Sequence, residues 1–536
     1  MEAALQNPSR LEEQRQKLNQ LLQEVQQRRI QPEDRYEMAA LLESMGWNDH
    51  RVVKEVGVES VFALAALLWD MGKSDIVFTP FNKPEKLRLG QLILEIVSNF
   101  LRGAIFALPM AVSVFSMITL RFSLWSYEEL SVEIATSIAI GTILSFMTVG
   151  GFTQAIARRG FFYIIQGYYG MARRVTTHFI VLGTIACLFL SGVIFAVNVL
   201  INLFPFHMIA IIILYYFFLN TIWLSVTVMY ILKKEILFTG LILIGIGLVY
   251  LLFVLFDVHI IASQLISLMV VSLSGIALSA YFFKRAEARE DKGIEPRLPK
   301  MSVTVFGVMP FFLYGFLYFT FLFVDRIIAW SVDSTFLPYY IWFRGDYELG
   351  LDFSLLVLII PMGINEVVLS RLMRNIQLSQ QEYLGEQIPQ MNRRYISQYF
   401  VRVFLILAVS LASAAGLYFS VSIFLSWANP EMGQVIYQNQ VTHQVFILSL
   451  SAYVLLAVAL MNAVTLFSLS QPEKVIQAIG PALLVNVGTG FVLSRWFGYE
   501  NAVLGLLIGS LVFALLSSYQ VYTVLKKLDY YMYAAS

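Results

Sequence analysis

Long apolar runs separated by short polar segments dominate the chain after about residue 98. Runs of about 20 apolar residues have the length that a helix needs to cross the hydrocarbon core of a bilayer. The pattern predicts about twelve membrane helices, near residues 99–120, 133–153, 177–200, 207–231, 236–256, 260–283, 302–330, 351–370, 399–426, 443–468, 475–494 and 500–525. The predicted fold class is therefore an all-α polytopic membrane protein.

Residues 1–97 follow a different, mostly polar pattern. Ser9 and Glu12 have capping-box spacing ahead of an amphipathic helix. Further short helices are predicted up to Trp69, and residues 87–96 are predicted to form an amphipathic helix at the membrane surface. We expect residues 1–97 to be a small cytoplasmic helical module with an amphipathic lead-in helix, whose first helix either packs on its neighbours or docks a partner.

Basic residues predict the orientation. Most Lys and Arg of the short loops fall on one side, at Arg158, Arg159, Arg173, Arg174, Lys233, Lys234, Arg371, Arg374, Arg393, Arg394, Lys474, Lys526 and Lys527. The other side has only Arg121, Arg344 and Arg495 in its loops. Because cytoplasmic loops are enriched in Lys and Arg, both termini are predicted to face the cytoplasm. The even number of predicted spans agrees with this, since it places both termini on the same side.

A charged segment, residues 284–300, lies midway and is predicted to be a cytoplasmic linker. It divides the spans into a first six-helix bundle, residues 98–283, and a second bundle with a short cytoplasmic tail, residues 301–536. Two related halves in one membrane protein commonly enclose a pathway between them. We therefore expect two pseudo-symmetric six-helix bundles.

Two pairs of residues support a duplication. Pro109 and Pro310 each lie about ten residues into the first helix of a half, where proline removes a backbone hydrogen bond and bends the helix. Asn220 and Asn462 form the second pair, each about a dozen residues before a basic helix end. The alternative is coincidence, because proline is frequent in membrane helices.

Composition excludes several classes of function. The chain is 58% hydrophobic and 14% charged, and its net charge of +1 argues against nucleic-acid binding. A single cysteine, Cys187, excludes a disulfide framework and a cysteine-based metal site. The sequence contains neither a phosphate-binding G-x-x-x-x-G-K-[ST] loop nor an H-E-x-x-H motif. We expect no enzymatic activity, no catalytic residue, no cofactor and no metal.

Charged residues inside a span are costly and usually face a partner or water. Asp325 and Arg326 lie near the external end of the seventh span, close to Trp330. They either form a polar constriction that meets the cargo, or an interfacial pair with Trp330 in the aromatic belt.

The eighth span contains Asn365 and Glu366, about one turn before Arg371. Glu366 either pairs with this arginine or acts as a gate or cation-coupling carboxylate at the inner end of the pathway. Asn220 and Asn462 either line a hydrated pathway or join helices through hydrogen bonds.

The segment Pro338 to Gly350 is predicted to be an external loop that mixes charges with Tyr339, Trp342 and Tyr347. Aromatic faces flanked by hydrogen-bonding groups suit sugar rings. The alternative is that these rings belong to the ordinary interfacial belt.

Two segments resemble a known family. Val324–Trp330, and Leu358–Ile364 about thirty residues later, resemble the corresponding region of PelG-type exporters of Pel exopolysaccharide. This family belongs to the multidrug/oligosaccharidyl-lipid/polysaccharide (MOP) exporter superfamily. The resemblance implies a multi-pass protein of the bacterial inner membrane that translocates a growing polysaccharide between two bundles. It also implies a cytoplasmic glycosyltransferase and membrane scaffold proteins as partners.

The module formed by residues 1–97 departs from the family, whose members enter the membrane almost at once, and it could dock the glycosyltransferase. Other functions stay open: a flippase for lipid-linked oligosaccharide, an ion-coupled small-molecule antiporter, or a scaffold for a cytoplasmic enzyme. A flippase needs several cationic side chains within the spans, where Arg326 stands almost alone. An antiporter needs a protonatable acid deep in the membrane, for which Glu366 is the candidate.

Overall fold

The computed structural model describes residues 17–25, 34–75, 89–105, 108–288, 299–332, 339–382, 388–428 and 430–535. Within these ranges the regular secondary structure is helical, which confirms the predicted all-α class. The chain divides into two compact units. One unit comprises Met1–Glu95 with Arg374–Tyr395, and the other comprises Ile96–Met373 with Ile396–Ser536.

The N-terminal part of the first unit has its own apolar core. Its helices are α1 (17–25), α2 (Arg35–Ser44), α3 (Asp49–Glu55) and α4 (Val61–Asp75). Asp34 and Asn48 cap α2 and α3 by accepting backbone hydrogen bonds. Leu42 and Leu64 are fully buried in the shared core. The predicted capping box at Ser9 lies outside the described residues.

The remaining helices contain the membrane region. They are α5 (Leu89–Ile105), α6 (Leu108–Leu120), α7 (Val132–Ile165), α8 (Tyr169–Ile201), α9 (Phe206–Ile231), α10 (Glu235–Tyr250), α11 (Ile260–Glu287), α12 (Met301–Trp330), α13 (Gly345–Leu355), α14 (Ile359–Glu382), α15 (Ile388–Ala428), α16 (Pro430–Gln438), α17 (Gln440–Ser468), α18 (Pro472–Phe497), α19 (Val503–Lys526) and α20 (Leu528–Ala535). A π-helical turn, Leu251–Leu255, extends α10, and a 3₁₀ turn, Leu356–Leu358, joins α13 to α14. Two bundles result: α6 to α11 with the end of α5, and α12 to α19.

Eleven helices within the described residues are long and apolar enough to cross a membrane. They correspond to eleven of the twelve predicted spans. The first predicted span, 99–120, contains residues 106–107, which lie outside the described ranges; on either side of them the structure has α5, up to Ile105, and α6, Leu108–Leu120. Pro109 lies on α6.

Pro310 lies inside α12, which continues without interruption from Met301 to Trp330. The predicted linker, residues 284–300, begins within α11, and residues 289–298 lie outside the described ranges.

Glycine contacts bring the two bundles together along two pairs of helices. At the contact between α7 and α12, a Cβ atom added to Gly315 would clash with the carbonyl oxygen of Gly150. At the contact between α5 and α14, a Cβ atom added to Gly103 would lie 2.8 Å from the Cα of Gly363. Only glycine permits backbones to approach this closely. The leading helix of each bundle therefore contacts the other bundle: α5 packs on α14, and α12 packs on α7.

These glycines reveal the register of the two halves. Gly315 follows Gly103 by 212 residues, and Gly363 follows Gly150 by 213 residues. The nearly constant spacing relates α5 to α12 and α7 to α14 as equivalent elements. Pro310 follows Pro109 by only 201 residues, so these two prolines do not occupy equivalent positions.

Candidate functional site: a buried charge cluster

Two helices of the second bundle present the same spacing of polar residues to each other. The end of α12 contributes Asp325, Arg326 and Trp330, and the start of α13 contributes Tyr347, Glu348 and Asp352. In both helices the three residues stand at positions i, i+1 and i+5. Positions i+1 and i+5 lie one turn apart on the same face. We call these six residues the charge cluster.

Hydrogen bonds connect the cluster across the two helices. Arg326 Nη1 forms an ion pair with Glu348 Oε2, and Arg326 Nη2 donates to Asp352 Oδ1 at 2.9 Å. The indole nitrogen of Trp330 donates to Glu348 Oε1 at 2.9 Å. The hydroxyl of Tyr347 donates to Asp325 Oδ2 at 2.9 Å. Both carboxylate oxygens of Glu348 therefore accept bonds from α12.

The cluster contains more negative than positive charge. Three carboxylates, those of Asp325, Glu348 and Asp352, stand against the single guanidinium of Arg326. Asp325 is 0% exposed and Glu348 is 4% exposed. An uncompensated buried charge is unfavourable, so such a site favours uptake of a proton or another cation.

Two buried oxygens of this region have no hydrogen-bond partner among the described residues: Asp325 Oδ1 and the hydroxyl of Tyr453 on α17. Tyr453 lies within electrostatic range of both Asp325 and Arg326. The side chain of Asp352, in contrast, is 53% exposed. A charged side chain within a span faces water rather than lipid, so we expect Asp352 to connect the buried carboxylates to a hydrated space.

The structure therefore brings together four of the residues singled out in the sequence, Asp325, Arg326, Trp330 and Tyr347. The alternative that they form an interfacial pair with a belt tryptophan is wrong, because Trp330 is 1% exposed and donates its hydrogen bond to Glu348. Tyr347 also differs from the prediction of an external loop. It lies inside α13, which begins at Gly345, and it is fully buried.

Tyr339 and Trp342 remain outside the helices, on the segment between α12 and α13. The Tyr339 hydroxyl donates to Glu133 Oε1 at 2.8 Å, and this hydrogen bond to a carboxylate raises the pKa of Tyr339. The guanidinium carbon of Arg344 lies 3.8 Å from the centre of the Trp342 ring. This segment thus connects the second bundle to α7 of the first.

Glu366 and Asn365 lie on α14, away from the charge cluster, and both are half-buried. A Cβ atom added to Gly103 would lie 3.0 Å from the Cβ of Glu366. Asn99 on α5 donates to Ser370 on α14 at 3.1 Å. Glu366 therefore lies beside the α5–α14 contact between the bundles.

Asn462 and Asn220 have different environments. Asn462 accepts from the Tyr399 hydroxyl and donates to Ser517 and Ser518, which joins α17 to α15 and α19. Asn220 is 1% exposed on α9, and its Oδ1 has no hydrogen-bond partner among the described residues. Of the two predicted roles, the contacts of Asn462 support the one in which it joins helices through hydrogen bonds.

Sequence reasoning missed Glu348 and Asp352. Glu348 was assigned to the external loop that ends at Gly350, and Asp352 lay at the start of the predicted eighth span, 351–370, where it was not singled out. Their separation by four residues placed them on one helix face, and this spacing was the indication that α13 starts earlier.

Comparison with solved structures identifies the fold. A eukaryotic MATE transporter matches with a TM-score of 0.56 at 13% identity, over 82% of this chain and 98% of its own. A MATE protein in the straight conformation matches with a TM-score of 0.56 at 14% identity, over 81% and 96%. A variant of the Vibrio cholerae MATE transporter VcmN matches with a TM-score of 0.55 at 15% identity, over 82% and 97%.

No protein-family model and no curated protein matches the chain. The structural matches establish that the chain has the two-bundle fold of MATE transporters. These matches do not test the resemblance to PelG-type exporters, which stays a prediction.

Proposed function

We propose that the chain is a membrane exporter and that its cargo is a Pel-like exopolysaccharide, which passes between the two helical bundles. Two observations support an exporter of this class: the transporter fold and the resemblance of Val324–Trp330 and Leu358–Ile364 to PelG-type proteins. We further propose that it lies in a bacterial inner membrane with both termini in the cytoplasm.

The observation that carries the glycan proposal is the aromatic contact surface between the bundles. Phe146 on α7 stacks on Phe319 and Phe323 of α12, with ring centroids 5.5 and 5.3 Å apart. Phe152 on α7 meets Phe312 on α12 edge to face at 5.0 Å. If the bundles separate, these rings face the space between them, and aromatic faces pack well on the apolar faces of sugar rings.

A polymer assay in the native host tests this proposal. Deletion of the gene should abolish secretion of the polysaccharide, and complementation with the wild-type gene should restore it. Phe319→Ala should reduce secretion, whereas Phe306→Ala on the same helix, whose ring is 83% exposed, should secrete normally. Normal secretion by the deletion strain would contradict the proposed cargo.

The proposed partner is a cytoplasmic glycosyltransferase that docks on the N-terminal module. The module is folded around its own core and exposes two neighbouring rings, Tyr36 (72% exposed) and Phe62 (57% exposed), with centroids 6.4 Å apart. Exposed aromatic pairs of this kind are common in protein interfaces. Deletion of residues 1–80 should abolish copurification of the enzyme while the membrane helices still insert. Unchanged copurification would refute docking on this module.

A second candidate function is ion-coupled antiport, and the charge cluster favours it. Its excess of carboxylates and the half-exposed Asp352 are suited to taking up a proton from a hydrated space. On the sequence alone, Glu366 is the candidate for the proton-binding carboxylate of an antiporter. Asp325 and Glu348 are more deeply buried than Glu366 and are therefore the better candidates. The lipid-linked oligosaccharide flippase has less support, because Arg326 is engaged by Glu348 and Asp352 and does not offer its charge to a pyrophosphate.

Transport by the purified protein in vesicles separates the two candidates. An antiporter should move protons in the opposite direction to a small organic cation, and Asp325→Asn should abolish this exchange. A polysaccharide exporter should show no such exchange, although it should still support polymer secretion in cells.

A further inference from the structure

A cavity of 270 Å³ lies in the membrane region between α7, α8 and α9 of the first bundle and α12 of the second. It is larger than the engineered cavity of about 150 Å³ that binds benzene. Apart from Asn198 and Trp330, its lining side chains are aliphatic or phenylalanine. A void of this size deprives its lining atoms of dispersion contacts, so it favours an occupant.

The lining offers an occupant no free polar group. The side-chain nitrogen of Asn198 donates to the Phe204 carbonyl at 2.9 Å, and its oxygen accepts from the Phe204 amide at 2.8 Å. The indole nitrogen of Trp330 is engaged by Glu348. Apolar cavities of this kind stay dry, because a water molecule inside needs two to four polar partners. The occupant must therefore be a hydrocarbon.

The cavity reaches the outer surface of α8. Val193 and Val197 line it, yet they are 38% and 37% exposed. Two other apolar residues on the same helix, Phe189 and Leu200, are 72% and 82% exposed. An apolar helix face of this kind in a membrane protein contacts lipid tails. The cavity consequently opens sideways toward the hydrocarbon of the bilayer.

We propose that this cavity is a binding site for one acyl chain of a membrane phospholipid, which enters beside Val193 and Val197. Lipid acyl chains of the bilayer are present at the mouth of the cavity. The lining has no free polar side chain that would bind a lipid head group. A chain bound there packs against Trp330, whose other edge bonds to Glu348. It would thereby connect α8 and α9 of the first bundle to the charge cluster of the second.

Photolabelling of the full-length protein tests the site. The protein is reconstituted in phosphatidylethanolamine and phosphatidylglycerol vesicles with a trace of phosphatidylglycerol that carries a diazirine on one acyl chain. After illumination, mass spectrometry maps the labelled residues. We expect label on Ile143 and Ile209, which line the cavity and are 5% and 2% exposed, because a lipid that stays outside does not reach them.

Val197→Trp is designed to fill the mouth and should remove this internal label. Leu200→Trp adds the same side chain one turn away on a lipid-facing position that does not line the cavity, and it should label like wild type. Val197→Phe provides a smaller blocking variant in case the tryptophan prevents folding, as judged by thermal melting. Label confined to exposed α8 residues, or internal label that persists in both Val197 variants, would overturn the proposal. Displacement of internal label by undecaprenyl phosphate but not by excess unlabelled phosphatidylglycerol would also overturn it, because the occupant would then be a polyprenyl chain.

Discussion

Arg326 and Glu348, 22 residues apart in the sequence, form a buried ion pair that joins α12 to α13. The side chain of Arg326 is 8% exposed and that of Glu348 is 5% exposed. The pair therefore lies at the centre of the charge cluster, and Asp352 provides its exposed side. We therefore expect Arg326 and Glu348 to stabilise the cluster and Asp352 to connect it to water.

Glu348→Gln retains the side-chain shape but replaces one of the two acceptor oxygens with an amide donor, which then faces either the Arg326 guanidinium or the Trp330 indole N–H. A buried donor left without its acceptor costs about 1–3 kcal/mol, and more where the group is charged, so this variant should melt at a lower temperature in detergent. Asp352→Asn is the matched control, because a half-exposed pair contributes about 1 kcal/mol or less. Equal melting temperatures for the two variants would contradict the central position of Glu348.

Gly315→Ala should weaken the contact between the bundles. The added methyl group meets the Gly150 carbonyl, and backbone cannot move aside as a flexible side chain can. Overpacking of this kind costs about 1–3 kcal/mol. Gly488→Ala on α18, where a Cβ atom meets nothing within 4 Å, should be neutral or stabilising. Thermal melting and polymer secretion measure both effects, and a neutral Gly315 variant would argue against close α7–α12 packing.

Asn462→Leu and Asn220→Leu should have opposite effects on stability. The first substitution leaves Ser517 and the Tyr399 hydroxyl without their shared partner, at a cost of about 1–3 kcal/mol. The second removes a buried oxygen that has no partner among the described residues, so it should be neutral or stabilising. Melting temperatures of the two variants test the contrast, and destabilisation by both would show that Asn220 also has a structural partner.

Tyr339→Phe should lower stability at neutral pH but not at strongly alkaline pH. The bond to Glu133 requires the neutral phenol and raises the pKa of Tyr339. The stabilisation is therefore fully present below the ordinary tyrosine pKa of about 10 and is lost as pH rises through the raised value. Melting curves of wild type and variant between neutral and alkaline pH should converge. Curves that stay parallel would refute the hydrogen bond to Glu133.

The apolar pattern predicted most of the fold, because span length and lipid contact impose long uninterrupted runs. The pattern failed where polar residues are buried. The start of α13, Gly345 to Gly350, contains Tyr347 and Glu348, and nothing local indicates that Asp325 and Arg326 on α12 form hydrogen bonds with them.

The sequence indicated some residues of the charge cluster but not others. Asp325, Arg326 and Trp330 stood out because charges are rare inside spans. Tyr347 was singled out only as part of an external aromatic loop, and Glu348 and Asp352 were missed because their contacts with α12 are tertiary and no local pattern specifies them. The alignment of the two halves could not be predicted from the sequence either, because glycines are common in membrane helices. Only their contacts identify Gly103 and Gly315 as equivalent positions.

Cross-linking of the bundle interface tests the central claim most directly. Phe146→Cys with Phe319→Cys places one thiol on each bundle where the rings now stack. Phe311→Cys with Phe467→Cys is the control, because both positions lie in the second bundle with ring centroids 5.3 Å apart. If polymer passes between the bundles, oxidation of the first pair stops secretion, reductant restores it, and oxidation of the control pair has no effect. Continued secretion with the first pair fully cross-linked would contradict export between the bundles.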